Sequence, residues 1–241
     1  MSAAFLALWN DYPATLTDEY EAWHTYEHVP ERLTTPGMLW ARRYADFAQP
    51  DNRYFTLYAL ESLQVLEQSS YLDLVRRPTD WSLSMRRHFL NVLRIPASDV
   101  ASGGNGIGGS LIAKVYSVGR QDALAGSKAL AANLEQIAAS GRILRYSIGL
   151  AEPNQPYEVF EQADITSPDC LNVVVIVEGS TRAGLEMVYE PITNAATIAL
   201  KPQGCLREGI FTLLVTYDAA EFSHNRKLLT ASRALRSRFS S

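Results

Sequence analysis

The sequence predicts an α+β fold: two tandem βαββαβ repeats that close on each other as a single eight-stranded barrel with the helices outside. Three observations carry that expectation. The stretch Ser98–Ser110 (SDVASGGNGIGGS) places five glycines in thirteen residues near the middle of a 241-residue chain. Landmarks on its two sides recur in the same order, at offsets from 102 residues (Arg43 to Arg145) to 117 (Glu61 to Glu178). The runs YFTLYAL (residues 54–60) and LNVVVIV (residues 171–177) are apolar nearly throughout, which suits strands buried on both faces. A four-stranded βαββαβ sheet covers only one face with its own helices, so two such sheets can bury each other's second face by closing into a barrel. A pocket is then expected between each sheet and its own helices.

The glycine-rich stretch cannot repay its ordering entropy by burial and is expected to be a flexible linker. The chain accordingly divides into a repeat over residues 1–97, a linker over 98–110, a repeat over 111–220 and a tail over 221–241. FLALWNDY (5–12) and LIAKVYSV (111–118) open the repeats with interleaved apolar and polar positions, as strands do. A helix is predicted over 18–29, capped by Thr17, with Asp18 and Glu19 suiting its dipole and Pro30 as its stop. Its counterpart is SKALAANLEQIAAS (127–140), rich in helix formers.

Gly37 and Gly141 close these regions, and strands ending in Arg43-Tyr44 and Arg145-Tyr146 follow. The two apolar runs each lead into a glutamate, Glu61 and Glu178. Helical segments over 62–77 and 181–190 are interrupted by Pro78 and Pro191, and strands near 89–95 and 209–217 end the repeats.

A net charge of −4 and a pI near 5.6 argue against a general nucleic-acid binder, which shows a basic footprint. No apolar run is long enough to span a membrane and the N-terminus has no basic region ahead of an apolar one, so a cytoplasmic location is expected. Cys170 and Cys205 lack CxxC partners and are expected to be ordinary thiols.

One stretch is chemically dense: WHTYEHVPERLTTPGMLWARRY, residues 23–44. It holds Trp23, His24, Glu27, His28, Pro30, Glu31 and Arg32 within ten positions, then Gly37 and Arg42-Arg43-Tyr44. A histidine titrates near neutral pH, so His28 could move a proton while an arginine holds an anionic oxygen. His24 lies one turn earlier on the same face. The bland alternatives are a structural histidine, a Glu27–arginine lock between helix and strand, and Trp23 as core. Strand parity sends Arg42 and Arg43 to opposite faces, so only one of them can meet a helix-side pocket.

This stretch resembles the EthD-like branch of the dimeric α/β-barrel superfamily, through Trp23, Glu27, His28, Pro30, Pro36, Gly37, Arg42, Arg43 and Tyr44. The resemblance implies two ferredoxin-like units, here fused in one chain, and no cofactor or metal. It also implies a small hydrophobic, oxygenated ligand, with monooxygenase- or isomerase-type acid/base chemistry. On that basis His28, His24 and Glu27 are the candidate catalytic residues, and Arg42, Arg43, Trp23 and Tyr44 the candidate substrate-binding residues. The second repeat lacks the Trp-His-Glu-His cluster and is expected to be scaffold. The alternative is a non-catalytic small-ligand-binding or assembly protein. No nucleic acid or membrane partner is expected, and a homodimer is left open.

His24-Thr25-Tyr26-Glu27-His28 also matches the HxxEH pattern of inverted zinc peptidases, but a third ligand is not evident. Haem enzymes that share the barrel take their proximal histidine from the second repeat, where the only histidine is His224, beyond the last strand. The tail interleaves Arg226, Lys227, Arg233, Arg236 and Arg238 with Leu228, Leu229, Leu235 and Phe239, predicting a basic amphipathic helix docked on the barrel or on a second copy.

Overall fold

The chain forms β1 (Ala4–Asp11), α1 (Thr17–Trp23), α2 (Val29–Leu33), β2 (Met38–Ala45), β3 (Tyr54–Leu60), α3 (Ser69–Arg76), α4 (Asp80–Arg86) and β4 (Leu90–Gly104) in its first half. The second half supplies β5 (Ser110–Gly119), α5 (Arg120–Ala139), β6 (Arg145–Ala151), β7 (Cys170–Gly179), α6 (Arg182–Leu200) and β8 (Gly204–Asp218), with a short α7 (Arg233–Ser237) in the tail. This computed structural model describes residues 3–49, 53–153, 157–160, 167–229 and 233–239.

The eight strands close into a barrel in the order β1-β3-β2-β8-β5-β7-β6-β4, every pair antiparallel. Each repeat contributes four neighbouring strands, and the repeats are sewn together at β2–β8 and β4–β6. Alternation along β7 shows why LNVVVIV is apolar throughout. Val174 and Ile176 face the barrel interior with Phe5, Trp9, Phe55 and Phe211. Val173, Val175 and Val177 instead face α5 and α6 through Leu130, Leu134, Leu185 and Ile192.

Three expectations about segment boundaries are corrected. The stretch expected as a flexible linker is mostly strand, because β4 continues to Gly104 and pairs with β6 from Ser98↔Leu150 to Gly104↔Arg145. Gly104 serves close approach, since a Cβ there (φ +77°) would lie 2.1 Å from the Leu144 carbonyl. Helix α5 begins at Arg120 and passes through Gly126, where a Cβ would meet the Ala199 carbonyl at 2.6 Å. Helix α6 continues past Pro191 to Leu200. Pro191 sits on the exposed face, so solvent can satisfy the carbonyl that loses its N–H partner.

The described part of the tail docks on its own chain. Arg226 meets Glu31 at 2.7 Å, Arg236 meets Glu27 at 2.5 Å, and Phe239 stacks on Trp81 with centroids 6.2 Å apart. Its helix spans only Arg233–Ser237, much shorter than the amphipathic pattern suggests.

Candidate functional site

The helix of the chemically dense stretch does not stop at Pro30. Residues His24–His28 form a π-helical turn, closed by the Val29 N–H on the His24 carbonyl, and α2 continues to Leu33. Pro30 has no N–H to give to the Tyr26 carbonyl, and the wider turn before it absorbs that loss. The same widening brings side chains four positions apart nearly into line. His24 and His28 therefore stack with ring centroids 5.0 Å apart and planes 28° apart. Tyr20 extends the stack 5.0 Å from His24, and Trp23 leans on His28 at 4.5 Å.

Beneath this turn lies a cavity of about 40 Å³ between the first repeat's sheet and its helices. Its apolar wall is Leu6, Leu8, Met38, Phe89, Val159 and Phe160. Its polar wall is His24, His28, Arg32, Arg86 and Arg94, with Thr56, Tyr58, Tyr71 and Tyr157. Among the described residues three arginines line it and no carboxylate does. That imbalance gives the space a positive potential in a low-dielectric setting.

The arginines are held differently. Arg86 donates to the Val75 and Leu74 carbonyls at 2.7 and 2.9 Å, and burial followed by Arg32 pulls its guanidinium down to about 10. Arg94 donates to the Tyr71 hydroxyl at 3.2 Å and lies 4.4 Å from the Tyr157 ring centre. Arg32 lies 5.7 Å from the Tyr71 ring centre, and its buried Nη1 has no hydrogen-bond partner among the described residues. The buried Nδ1 atoms of His24 and His28 likewise lack a partner there.

Burial holds both imidazoles well below the ordinary histidine range, helped by Arg43 and Arg32 at His24 and by Arg32 and His24 at His28. Both are therefore neutral at pH 7.

Of the seven candidate residues, His24 and His28 line this cavity and the other five do not. Glu27 is turned away, accepting from Thr79 Oγ1 and Arg236 Nη2, each at 2.5 Å. This places the glutamate of the HxxEH pattern in a structural contact, away from the histidines' cavity. Trp23 is fully buried and donates to Ser82 Oγ at 3.1 Å.

Arg43 faces the helices, where it pairs with Glu21 at 3.1 Å and bonds Thr25 Oγ1. Arg42 and Tyr44 point inside the barrel. There Arg42 pairs with Glu178 at 2.9 Å.

The Arg-Tyr repeat proves offset by one position. Arg145, like Arg42, approaches Glu178 (3.7 Å), while Tyr146 faces the helices and donates to Glu135 at 3.1 Å. A one-residue shift sends a side chain through to the other face of a sheet. Glu61 and Glu178 differ similarly, the first exposed and the second buried.

The polar residues that sequence reasoning left out include Arg86, Arg94, Tyr58, Tyr71 and Tyr157, which come from five separate parts of the chain. Arg32 was visible in the dense stretch, three positions from Val29 on the same helical path. Tyr157, Val159 and Phe160 belong to the second repeat, so both repeats line this cavity.

No family model matches this chain, and no curated protein matches it. Solved structures do. An anthrone oxidase-like protein superposes with a TM-score of 0.67 at 11% identity, over 91% of this chain and 96% of that one. A candidate monooxygenase from Lactobacillus acidophilus gives 0.52 at 12% identity, over 91% and 97%. A chlorite dismutase from Candidatus Nitrospira defluvii gives 0.50 at 10% identity, over 91% and 93%.

Haem, which the sequence comparison raised, does not fit the described residues of the second repeat. The space between its sheet and helices is filled by Leu130, Leu134, Leu185, Val188, Ile192 and Leu200, with no histidine, and His224 is exposed in the tail. The shared architecture establishes the fold alone: a closed eight-stranded α+β barrel of the kind these structures show, with one polypeptide supplying both four-stranded units.

Proposed function

We propose that the protein is a cofactor-independent enzyme of the oxygenase or a related type, which binds a small hydrophobic, oxygenated molecule as its phenolate or enolate. The observation that carries this is the cavity wall: Arg32 with an unpartnered Nη1, two neutral histidines, and no carboxylate among the described lining residues. Arg32 holds the developing oxyanion by a charge-assisted hydrogen bond in a dry setting. His28, kept neutral, orients the ring oxygen through its own hydrogen bond, a different task from the acid/base role that the resemblance implies. The EthD-like pattern of residues 23–44 supports the same class.

A ring larger than the present 40 Å³ can enter only if part of the wall, which includes Phe89 and Phe160, moves aside.

Anthrone is a suitable first substrate, since the fold neighbour superposing at 0.67 is described as anthrone oxidase-like. The reaction anthrone + O₂ → anthraquinone + H₂O balances without an added reductant. Oxygen uptake and quinone absorbance should rise with enzyme, and Arg32→Met should lower kcat/KM on the order of 10- to 100-fold. Anthrone bound but never oxidised would favour the binding-protein alternative, and absence of both binding and turnover would sink the assignment of this cavity.

A further inference from the structure

Burial beside Arg32 and Arg43 makes both imidazoles weak proton acceptors, so a more basic group in the cavity is better suited to take the substrate's proton. Tyr71, on α3, is placed for it. Tyr71 lines the cavity, and its hydroxyl oxygen accepts from Arg94 Nη2 at 3.2 Å. Arg32 lies over its ring from α2. Tyr157 approaches from the second repeat, sandwiched against Arg94. The charged and titratable groups facing Tyr71 are thus Arg32 from α2, Arg94 from β4, Tyr157 from the β6–β7 connection, Tyr58 from β3 and, farther off, Arg86 from α4. Three are cations and, among the described residues, none is a carboxylate.

We propose that Tyr71, as a phenolate, is the base of this cavity, its oxygen held by Arg94 and Tyr157. In the step, the Tyr71 oxygen forms an O–H bond as the substrate's acidic C–H or O–H bond breaks. The electron pair stays on the substrate as an enolate or phenolate facing Arg32, and Tyr71 later returns the proton to the oxygen atom that leaves as water. No oxidant is needed for this step, and oxygen enters only afterwards.

The electrostatic setting agrees. Burial alone would raise the Tyr71 phenol, but Arg94 and Arg32, with hydrogen bonds from Arg94 and Tyr157, outweigh it and bring it below the usual tyrosine value. Tyr20, Tyr54 and Tyr58, buried in the same repeat without that set of donors, are all pushed up. Tyr157, the partner that keeps its proton, is raised too, chiefly by burial and by Tyr71.

The proposal rests on this cavity being the working site, yet half of it can be tested without substrate. The intact protein is titrated while tyrosinate absorbance is followed. Wild type should show an ionisation below the ordinary tyrosine value of about 10. That step should vanish in Tyr71→Phe and move upward in Tyr157→Phe and Arg94→Met. Superimposable curves for wild type and Tyr71→Phe would overturn the proposal; should Tyr71→Phe not fold, an unmoved step in both other variants does so.

The second arm is the pH profile of kcat/KM for anthrone oxidation, whose acid limb should move upward in Tyr157→Phe together with the spectral step. A spectral step that moves while the limb stays fixed would leave Tyr71 ionised but not the base, which also overturns it. Absence of any turnover would be a failure of the substrate reading, recognisable because the spectral arm still stands.

Discussion

Below about pH 6.5, wild-type protein should lose stability faster than a His24→Gln, His28→Gln double variant, by about 2.7 kcal/mol per pH unit. Burial, with Arg32 and Arg43, holds both folded-state imidazoles well below the ordinary value. The unfolded chain binds two protons near pH 6.5 that the folded chain refuses. Each histidine's contribution is thus complete above its unfolded value and is lost as pH falls from there toward the folded value.

Two carboxyls act in the opposite direction. Burial lifts Asp99 to about 6, and it lifts Glu31 as well, so the folded chain takes up those protons first. Their stabilisation is present at acid pH and lost as pH rises through the folded values. They act equally on both proteins, so the comparison cancels them. Urea denaturation at a series of pH values between 7 and 5 measures the difference; parallel acid slopes would show that the histidines are charged in the folded protein.

Replacing Arg42 by Met should cost about 3 kcal/mol of stability. Arg42 and Glu178 are both nearly inaccessible, and they join β2 of the first repeat to β7 of the second across the barrel interior. Removing one partner leaves a buried carboxylate, a loss in the range of about 3–5 kcal/mol. The lower end is expected because Glu178 keeps Arg145 at 3.7 Å and the Gly108 N–H at 3.1 Å. Arg42→Met with Glu178→Gln should recover part of the loss, since a neutral amide tolerates burial better. Denaturant midpoints of the two single variants and the double variant would measure the coupling. A change under 1 kcal/mol would mean that water reaches the pair.

These two expectations rest on different amounts of sequence information. The alternation that buries β7 on both faces, and the presence of two equivalent halves, are local and repetitive, so they could be read from residue order. The dense histidine stretch could also be located, because four polar side chains at helical spacing beside a tryptophan are unusual in any helix. The π turn could not be foreseen from it. Pro30 signals a disturbed hydrogen bond, but whether a helix ends there or widens and continues depends on what packs against its next turn. Val29 and Leu33 pack into the core beneath it, which favours continuation.

Glycines misled for a related reason. Gly104 looks like flexibility in one dimension, whereas the Leu144 carbonyl beside it requires the missing side chain.

The sequence by itself determined the duplicated α+β barrel, its strand order within each half and the place of the histidines, because hydrophobic period and turn chemistry are properties of neighbouring residues. Tertiary structure alone decided which charges meet. Arg32, Arg86, Arg94 and Tyr71 come together with Tyr157 of the other repeat only when the barrel closes, and a one-residue offset in register separates Arg42 from Arg43. Electrostatic partnership depends on distances across the fold, and residue order carries those only through the packing that it produces.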